Sequence, residues 1–341
     1  MMKIIVDDKI PYIRPALTAM GAEVAYLPGS QISNADVIDA DALVVRTRTR
    51  VDEKLLAGSR VSFVATATIG FDHLDTAYLE RQGIRWMSCP GCNAGAVAQY
   101  LHSVFILLQR EKGLVFDKTT LGIVGCGHVG SRVRSIAQAL GMRTLVCDPP
   151  LQEQGVSGLC DLSAIKQQAD VITFHVPLSK EGRHPTFLLA GTAFFQRLKK
   201  SPILINTSRG SVVDNTALLA ALNEGLVHEA VIDTWENEPA ISRPLLNKVY
   251  LGTPHIAGYS ADGKVNADNM VIDGLCSHFG LKNQWKLLPP RLLPPMPIIH
   301  DAADQALQLY DPRIDSRNLK NSPESFEDLR GNYRLRREKF D

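Results

Sequence analysis

Apolar and polar positions along the chain fall into short β-branched runs separated by helical patterns. KIIV (3 to 6), ALVV (42 to 45), VSFVAT (61 to 66), TLGIVG (120 to 125), RTLVC (143 to 147), DVITFH (170 to 175), ILIN (203 to 206) and EAVID (229 to 233) have the length and content of strands. Between them lie amphipathic stretches such as 128 to 140 and 214 to 225. The second opens on Asp214, suited to N-capping, and closes on Gly225, suited to the left-handed residue past a helix end. Strand and helix alternating at this spacing predict an α/β protein with parallel sheets covered by helices.

Three stretches break the rhythm. NAGAVAQYLHSVFILLQR (93 to 110) reads as a buried helix that bridges two strand series and is too interrupted to cross a bilayer. In VVRTRTRV (44 to 51), a strand that ran on would put Arg46, Arg48 and Arg50 on one face, either awaiting an anion or discouraging sheet-edge pairing. LLPPRLLPPMP (287 to 297) is too proline-rich for a helix or central strand and reads as an extended linker. Beyond it, Ser322-Pro323 followed by Phe326, Leu329 and Tyr333 predicts a capped amphipathic helix in a small separate module, suited to association.

A chain of 341 residues has room for two or three domains, and its 45% hydrophobic and 21% charged content is that of a globular protein. A formal net charge of +1 gives no global attraction to nucleic acid or anionic membrane, so any basic function must be local. No apolar run approaches the roughly 18 residues of a membrane span. Acids follow directly on the short apolar run of MMKIIVDDKIP, unlike a signal peptide, so a cytoplasmic protein is expected. The six cysteines are expected as free thiols. Cys89 and Cys92 form the only close pair, and without a second ligand pair no metal site is expected.

LGIVGCGHVG carries the strongest motif. Gly125, Gly127 and Gly130 form G-x-G-x-x-G after a strand and at the start of a helix, the context in which the pattern cradles a dinucleotide pyrophosphate. Asp148 ends the next strand, where a carboxylate is expected to accept from the adenosine ribose and to repel a 2′-phosphate, which favours NAD over NADP. Downstream, INTSRGSVVD, VIDTWENEP and LGTPHIAGYS place Arg209, Glu238 and His255 just beyond predicted strands, where open α/β sheets bind ligands.

GIVGCGHVG, NTSRG, the segment from Asp233 to Glu238 and the His255 loop, in this order, resemble the D-isomer-specific 2-hydroxyacid dehydrogenase family over roughly residues 1 to 280. VDDKIPY, VVRTRTRV, ATATIGFDHLD, PGCNA, CDPP, SRGSVVDNTALL and HIAGYS narrow the resemblance to members oxidising a phosphorylated four-carbon 2-hydroxy acid on the way to pyridoxal 5′-phosphate. The resemblance implies two Rossmann-like domains, with an NAD domain (96–264) inserted in a discontinuous substrate domain (1–95, completed by about 265–285). A C-terminal dimerisation module (286–341) and a homodimer follow from it too, the module shortened because few residues succeed NYRLRRE.

It also implies that His255 exchanges the hydroxyl proton, that Arg209 and Glu238 are catalytic, and that Thr207, Arg209, Asp233 and Gly258 join the glycines and Asp148 at the cofactor. Glu238, if adjacent to His255, would favour the imidazolium. Thr47, Thr68 and Tyr259 are implied substrate contacts, and Arg46 and Arg50 are the candidates for the phosphate end. Two rivals stand beside this reading. One is another dehydrogenase of the family, acting for instance on 3-phosphoglycerate. The other is an NAD(H)-sensing binding protein without turnover.

Overall fold

The computed structural model describes residues 2–291 and 301–339. The chain divides into two compact units, one built from the residues through Asn93 and from the stretch that begins at Ser260, the other from Ala94–Tyr259 and the described C-terminal residues. Both are α/β with all-parallel sheets, as the strand and helix alternation predicts. Among the described residues no helix is long and apolar enough to cross a membrane.

The first unit holds β1 (Lys3–Asp7), β2 (Glu23–Leu27), β3 (Ala42–Val45), β4 (Phe63–Thr66) and β5 (Arg85–Met87) in the order β2-β1-β3-β4-β5. Ile4, Val6, Val44 and Phe63 pack with Val271, Ile272 and Leu275 of the helix Ala261–Phe279. Ile5, Leu43, Val45 and Val64 fill a second cluster with Val37, Leu55 and Leu79. Burial on both faces explains why the central strands are unbroken apolar runs.

The second unit holds β6 (Thr120–Val124), β7 (Arg143–Cys147), β8 (Val171–Phe174), β9 (Ile203–Asn206), β10 (Glu229–Ile232) and β11 (Leu251–Gly252) in the order β11-β10-β9-β8-β6-β7. The chain leaves β6 toward β7 and returns to pair β8 on the opposite side, so a topological switch point lies at the carboxyl ends of β6 and β8. The long apolar segment forms the helix Ala94–Lys112, whose Tyr100, Leu101, Val104 and Phe105 are buried in a core shared with β6 and β8.

Two expectations change. The arginine run is not a strand: β3 stops at Val45, and Thr49 N donates to Arg46 O (3.2 Å) across a turn, so Arg46, Arg48 and Arg50 do not line one face. Buried Thr49 fixes that turn through its hydroxyl, which donates to Gly29 O (2.7 Å). The C-terminal stretch, read as a separate module, is built into the second unit instead. Leu319 and Phe326 are fully buried in one core with Leu245, Leu246 and Val249. Ser316 Oγ accepts from the amide of Gly252 (3.1 Å), and Lys320 Nζ donates to Val249 O (2.6 Å), so the helix Pro312–Asn321 covers the open edge at β11. Of the proline-rich stretch 287 to 297, residues 292–297 lie outside the described residues.

Candidate active site

The glycine loop joins β6 to the helix His128–Ala139. Gly125 has φ +91°, and a Cβ there would lie 2.6 Å from the carbonyl oxygen of His175. At Gly130 a Cβ would lie 2.0 Å from Gly125 O, so the helix can approach its strand only without a side chain. Gly127 is different: none of the described residues lies within 4 Å of a Cβ built on it, which leaves its backbone open to an approaching phosphate.

Asp148 braces this loop. One carboxylate oxygen accepts from Cys126 N (2.7 Å) and the other from Leu151 N (3.1 Å), capping the helix Pro149–Glu153. Each oxygen keeps a second lone pair for a ribose hydroxyl. The Thr207 hydroxyl, at the end of β9, is buried without a partner among the described residues. A positive-φ turn, an open backbone at Gly127, a carboxylate after β7 and an orphaned hydroxyl after β9 together fit a dinucleotide.

Beyond the same sheet edge three loops converge. In the first, buried Asn206 organises the turn: its Nδ2 donates to Arg209 O (3.0 Å), while its Oδ1 accepts from Ser208 N (3.1 Å) and Ser208 Oγ (2.9 Å). Arg209 is half-buried, and its Nη1 donates to Ser208 O (2.9 Å). The second loop follows β10 and is pressed against the first, since a Cβ on Gly210 would lie 1.8 Å from Trp235 O. Asn215 and Glu236 tie the two with reciprocal bonds, Asn215 N to Glu236 Oε2 (2.7 Å) and Glu236 N to Asn215 Oδ1 (3.2 Å).

The third loop, after β11, carries His255. Its Nδ1 lies 2.8 Å from Glu238 Oε2, while Glu238 Oε1 accepts from Trp235 N (2.8 Å). Burial would raise the Glu238 carboxyl, but the His255 charge and hydrogen bond, the Trp235 amide and Arg330 together hold it below its ordinary value. Arg330 Nη1 stands 3.6 Å from the same Oε2. Asn237 (φ +59°) and His255 (φ +56°) both adopt left-handed backbone, which costs on the order of 1 kcal/mol or more each and persists only where neighbours enforce it.

Asp233 is the main enforcer. It is almost fully buried, and its carboxylate accepts from Thr253 Oγ1 (2.7 Å), Ile256 N (2.8 Å) and Ala257 N (3.0 Å), while its carbonyl accepts from His255 N (2.9 Å). Burial raises its carboxyl above the ordinary value against those stabilising partners. Its side chain shapes the histidine loop, and its Oδ2, which accepts only the Ala257 amide among the described residues, keeps a second lone pair. Tyr259, expected at the substrate, has its hydroxyl accepting from Arg330 Nε (3.2 Å), and Gly258 lies half-buried in the same loop.

Arg46, Thr47, Arg50 and Thr68 all follow strands β3 and β4 of the first unit at their carboxyl ends. Arg46 Nη2 pairs with wholly buried Asp7 (3.1 Å), and Arg46 Nε and Asp7 Oδ2 are both buried without a hydrogen-bond partner among the described residues. Arg50 is exposed, donating to Asp72 O (3.0 Å), and Thr47 is exposed. The Thr68 hydroxyl meets Thr66 Oγ1 (2.8 Å), which also meets His73 Nε2 (3.0 Å); burial lowers His73 to about 4.

Several residues of these loops escape sequence reasoning. Asn206 and Asp7 end apolar runs, where a lone polar residue at a strand terminus is a usable signal. Arg330 and Arg336 have none, because their partners are far away in the chain. Cys89, by contrast, is buried as a free thiol whose Sγ donates to Thr66 O (3.4 Å), and burial raises it further from thiolate.

Residues 102–257 match the family described as D-isomer specific 2-hydroxyacid dehydrogenase, NAD binding domain. An erythronate-4-phosphate dehydrogenase of Bacteroides fragilis is 50% identical over 340 residues, spanning 99% of this chain and 97% of that one. The protein of the same name from Escherichia coli is 43% identical over 351 residues, spanning 99% and 92%. Among solved structures, the NAD+-bound 3-phosphoglycerate dehydrogenase of Entamoeba histolytica has a TM-score of 0.70 at 26% identity, covering 82% of this chain and 95% of that one. The D-lactate dehydrogenase of Aquifex aeolicus, complexed with NAD and lactic acid, shares the fold with a TM-score of 0.68 at 24% identity, covering 82% and 95%. The cofactor is NAD, in keeping with the carboxylate after β7. The chain belongs to the D-isomer specific 2-hydroxyacid dehydrogenase family, among its erythronate-4-phosphate dehydrogenases.

Proposed function

We propose that this chain oxidises 4-phosphoerythronate at C2, giving 3-hydroxy-2-oxo-4-phosphooxybutanoate. The observation that carries the reading is the 2.8 Å pair of His255 Nδ1 and Glu238 Oε2, beside a loop that presents Arg209. Relatives of that printed activity, half identical over nearly the whole chain, support the choice of substrate. NAD, when bound, takes the hydride from C2.

The residues do the rest. Arg209 grips the substrate carboxylate through charge-assisted hydrogen bonds and orients C2. His255 commits Nδ1 to Glu238, which leaves Nε2 to accept the hydroxyl proton during oxidation and return it in reverse. Glu238, held ionised, compensates the imidazolium that results. The phosphate end falls to Arg46 and Arg50 with the hydroxyls of Thr47 and Thr68, and Tyr259 contributes from the histidine loop. Thr207, Asp148 and the three glycines, with Arg209, Asp233 and Gly258 from the loops after β9, β10 and β11, hold the cofactor. Family resemblance supports a cytoplasmic homodimer, which light scattering of the purified chain tests for assembly.

NADH absorbance with 4-phosphoerythronate and 3-phosphoglycerate, measured side by side, tests the substrate. Turnover should favour the four-carbon acid by at least tenfold in kcat/KM. Equal turnover on 3-phosphoglycerate would favour the other dehydrogenase, and binding of NADH without turnover on either acid would favour a sensor.

A further inference from the structure

We propose that the C-terminal tail supplies two positioning residues for the proton-transfer pair, Arg336 beneath the His255 loop and Arg330 on Glu238. The proposal rests on the reading of His255 as proton acceptor. Arg336 is buried, with its guanidinium 4.0 Å from the centre of the Tyr310 ring. Its Nη1 donates to Ile256 O (3.0 Å) and Tyr259 O (2.9 Å), and its Nη2 to Ala257 O (2.6 Å) and Ala96 O (3.2 Å). Nε reaches Gln99 Oε1 (2.9 Å).

One cation therefore takes three carbonyls directly after His255. Asp233 takes the amides of Ile256 and Ala257 from the other side. Gripped at both its N–H and C=O groups, this segment can keep His255 in left-handed backbone, with the ring facing Glu238. No lysine could serve in place of Arg336, because three donors on one nitrogen cannot reach carbonyls spread along a planar fork.

Arg330 acts on charge. Glu238 Oε2 is contacted by His255 Nδ1 at 2.8 Å and by Arg330 Nη1 at 3.6 Å, so an imidazole and a guanidinium share one oxygen. When His255 gains a proton it draws on a carboxylate already partly neutralised. Among the described residues, the charged groups that bear on the pair are buried Asp233 on one side of the balance and Arg330 on the other, with the Tyr259 hydroxyl held by Arg330. Removing the Arg330 charge shifts that balance toward the imidazolium.

The test is a nuclear magnetic resonance titration of the His255 ring in the full chain, with 15N-labelled histidine and the signal assigned by its loss in His255→Asn. Arg330→Gln and Arg330→Met should both move the midpoint upward by about one pH unit, and Arg330→Lys should restore most of it. In turnover, the acid limb of kcat/KM for oxidation should follow the same order. Arg336→Lys should lower kcat at least tenfold while leaving the KM for NAD within twofold. A midpoint unmoved in both Arg330→Gln and Arg330→Met, or moved equally by Arg330→Lys, would overturn the proposal. The titration needs no substrate, so a wild-type chain that fails to turn over 4-phosphoerythronate would sink the substrate reading and leave this one standing or falling by the midpoint.

Discussion

Asp233 and Glu238 lie on one loop, yet their surroundings drive them in opposite directions. Burial dominates at Asp233 and pushes its carboxyl up, whereas at Glu238 the histidine, an amide and Arg330 outweigh burial and hold it down. A depressed carboxyl contributes stability that is fully present above its unfolded value, near 4.5, and is lost only as pH falls through the lower folded value. Glu238 therefore stays ionised across neutral pH. Replacing it by Gln should leave the protein folded at pH 7 while moving the acid limb of kcat/KM downward, and His255→Asn should cost about a hundred- to ten-thousand-fold in kcat. Stopped-flow NADH absorbance over pH 5 to 9 measures both. Arg209, Glu238 and His255 were legible in the sequence because strand ends point into the ligand edge of a sheet. Asp233 was legible as a strand-end acid, but its work on the histidine loop was not, since only the folded loop shows it accepting from the Thr253 hydroxyl and the Ile256 and Ala257 amides.

The helix Ala261–Phe279 carries Asp268 into the first unit, almost fully buried, where its carboxylate accepts from Tyr12 N (3.0 Å). Burial raises its pKa from 3.8 to about 7. A raised carboxyl keeps its contribution below the unfolded value of 3.8 and loses it as pH rises through about 7, because ionising it in place is unfavourable. Asp268→Asn preserves an acceptor for Tyr12, so it should raise the melting temperature relative to wild type at pH 8.5, and by less at pH 5. Calorimetry at the two pH values reads the difference. Element identity was legible where both faces are covered: β1, β3, β4, β6, β8, β9 and β10 all announce themselves as apolar runs. Three strands went unread, β2, β5 and β11, and all are sheet edges, half-exposed or only two or three residues long. The arginine run misled for a related reason. Alternation of Arg and Thr mimics a strand's period, but a parallel strand must end where the chain turns back over the sheet, and buried Thr49 bonded to Gly29 marks that turn.

At the scale of the whole chain, the tail's helices were foreseeable and their docking was not. Proline punctuation and an amphipathic period predict local structure, whereas Leu319 and Phe326 find their partners 70 or more residues away, as the bonds from Lys320 to Val249 and Tyr250 attest. Phe326→Ala should cost about 3–5 kcal/mol, and because the side chain belongs to the second unit's core the loss should appear throughout its sheet. Hydrogen exchange of β9 and β10 amides, compared with β1 and β3, would show it; protection lost only within residues 301–339 would mean that the tail unfolds by itself. Synthesis of the chain acquires an order from the same arrangement. Ile256 leaves the ribosome 80 residues ahead of the arginine that secures its carbonyl, so a nascent polypeptide exposes its histidine turn well before that cation can hold it in register, and competence for chemistry waits on those 80 residues.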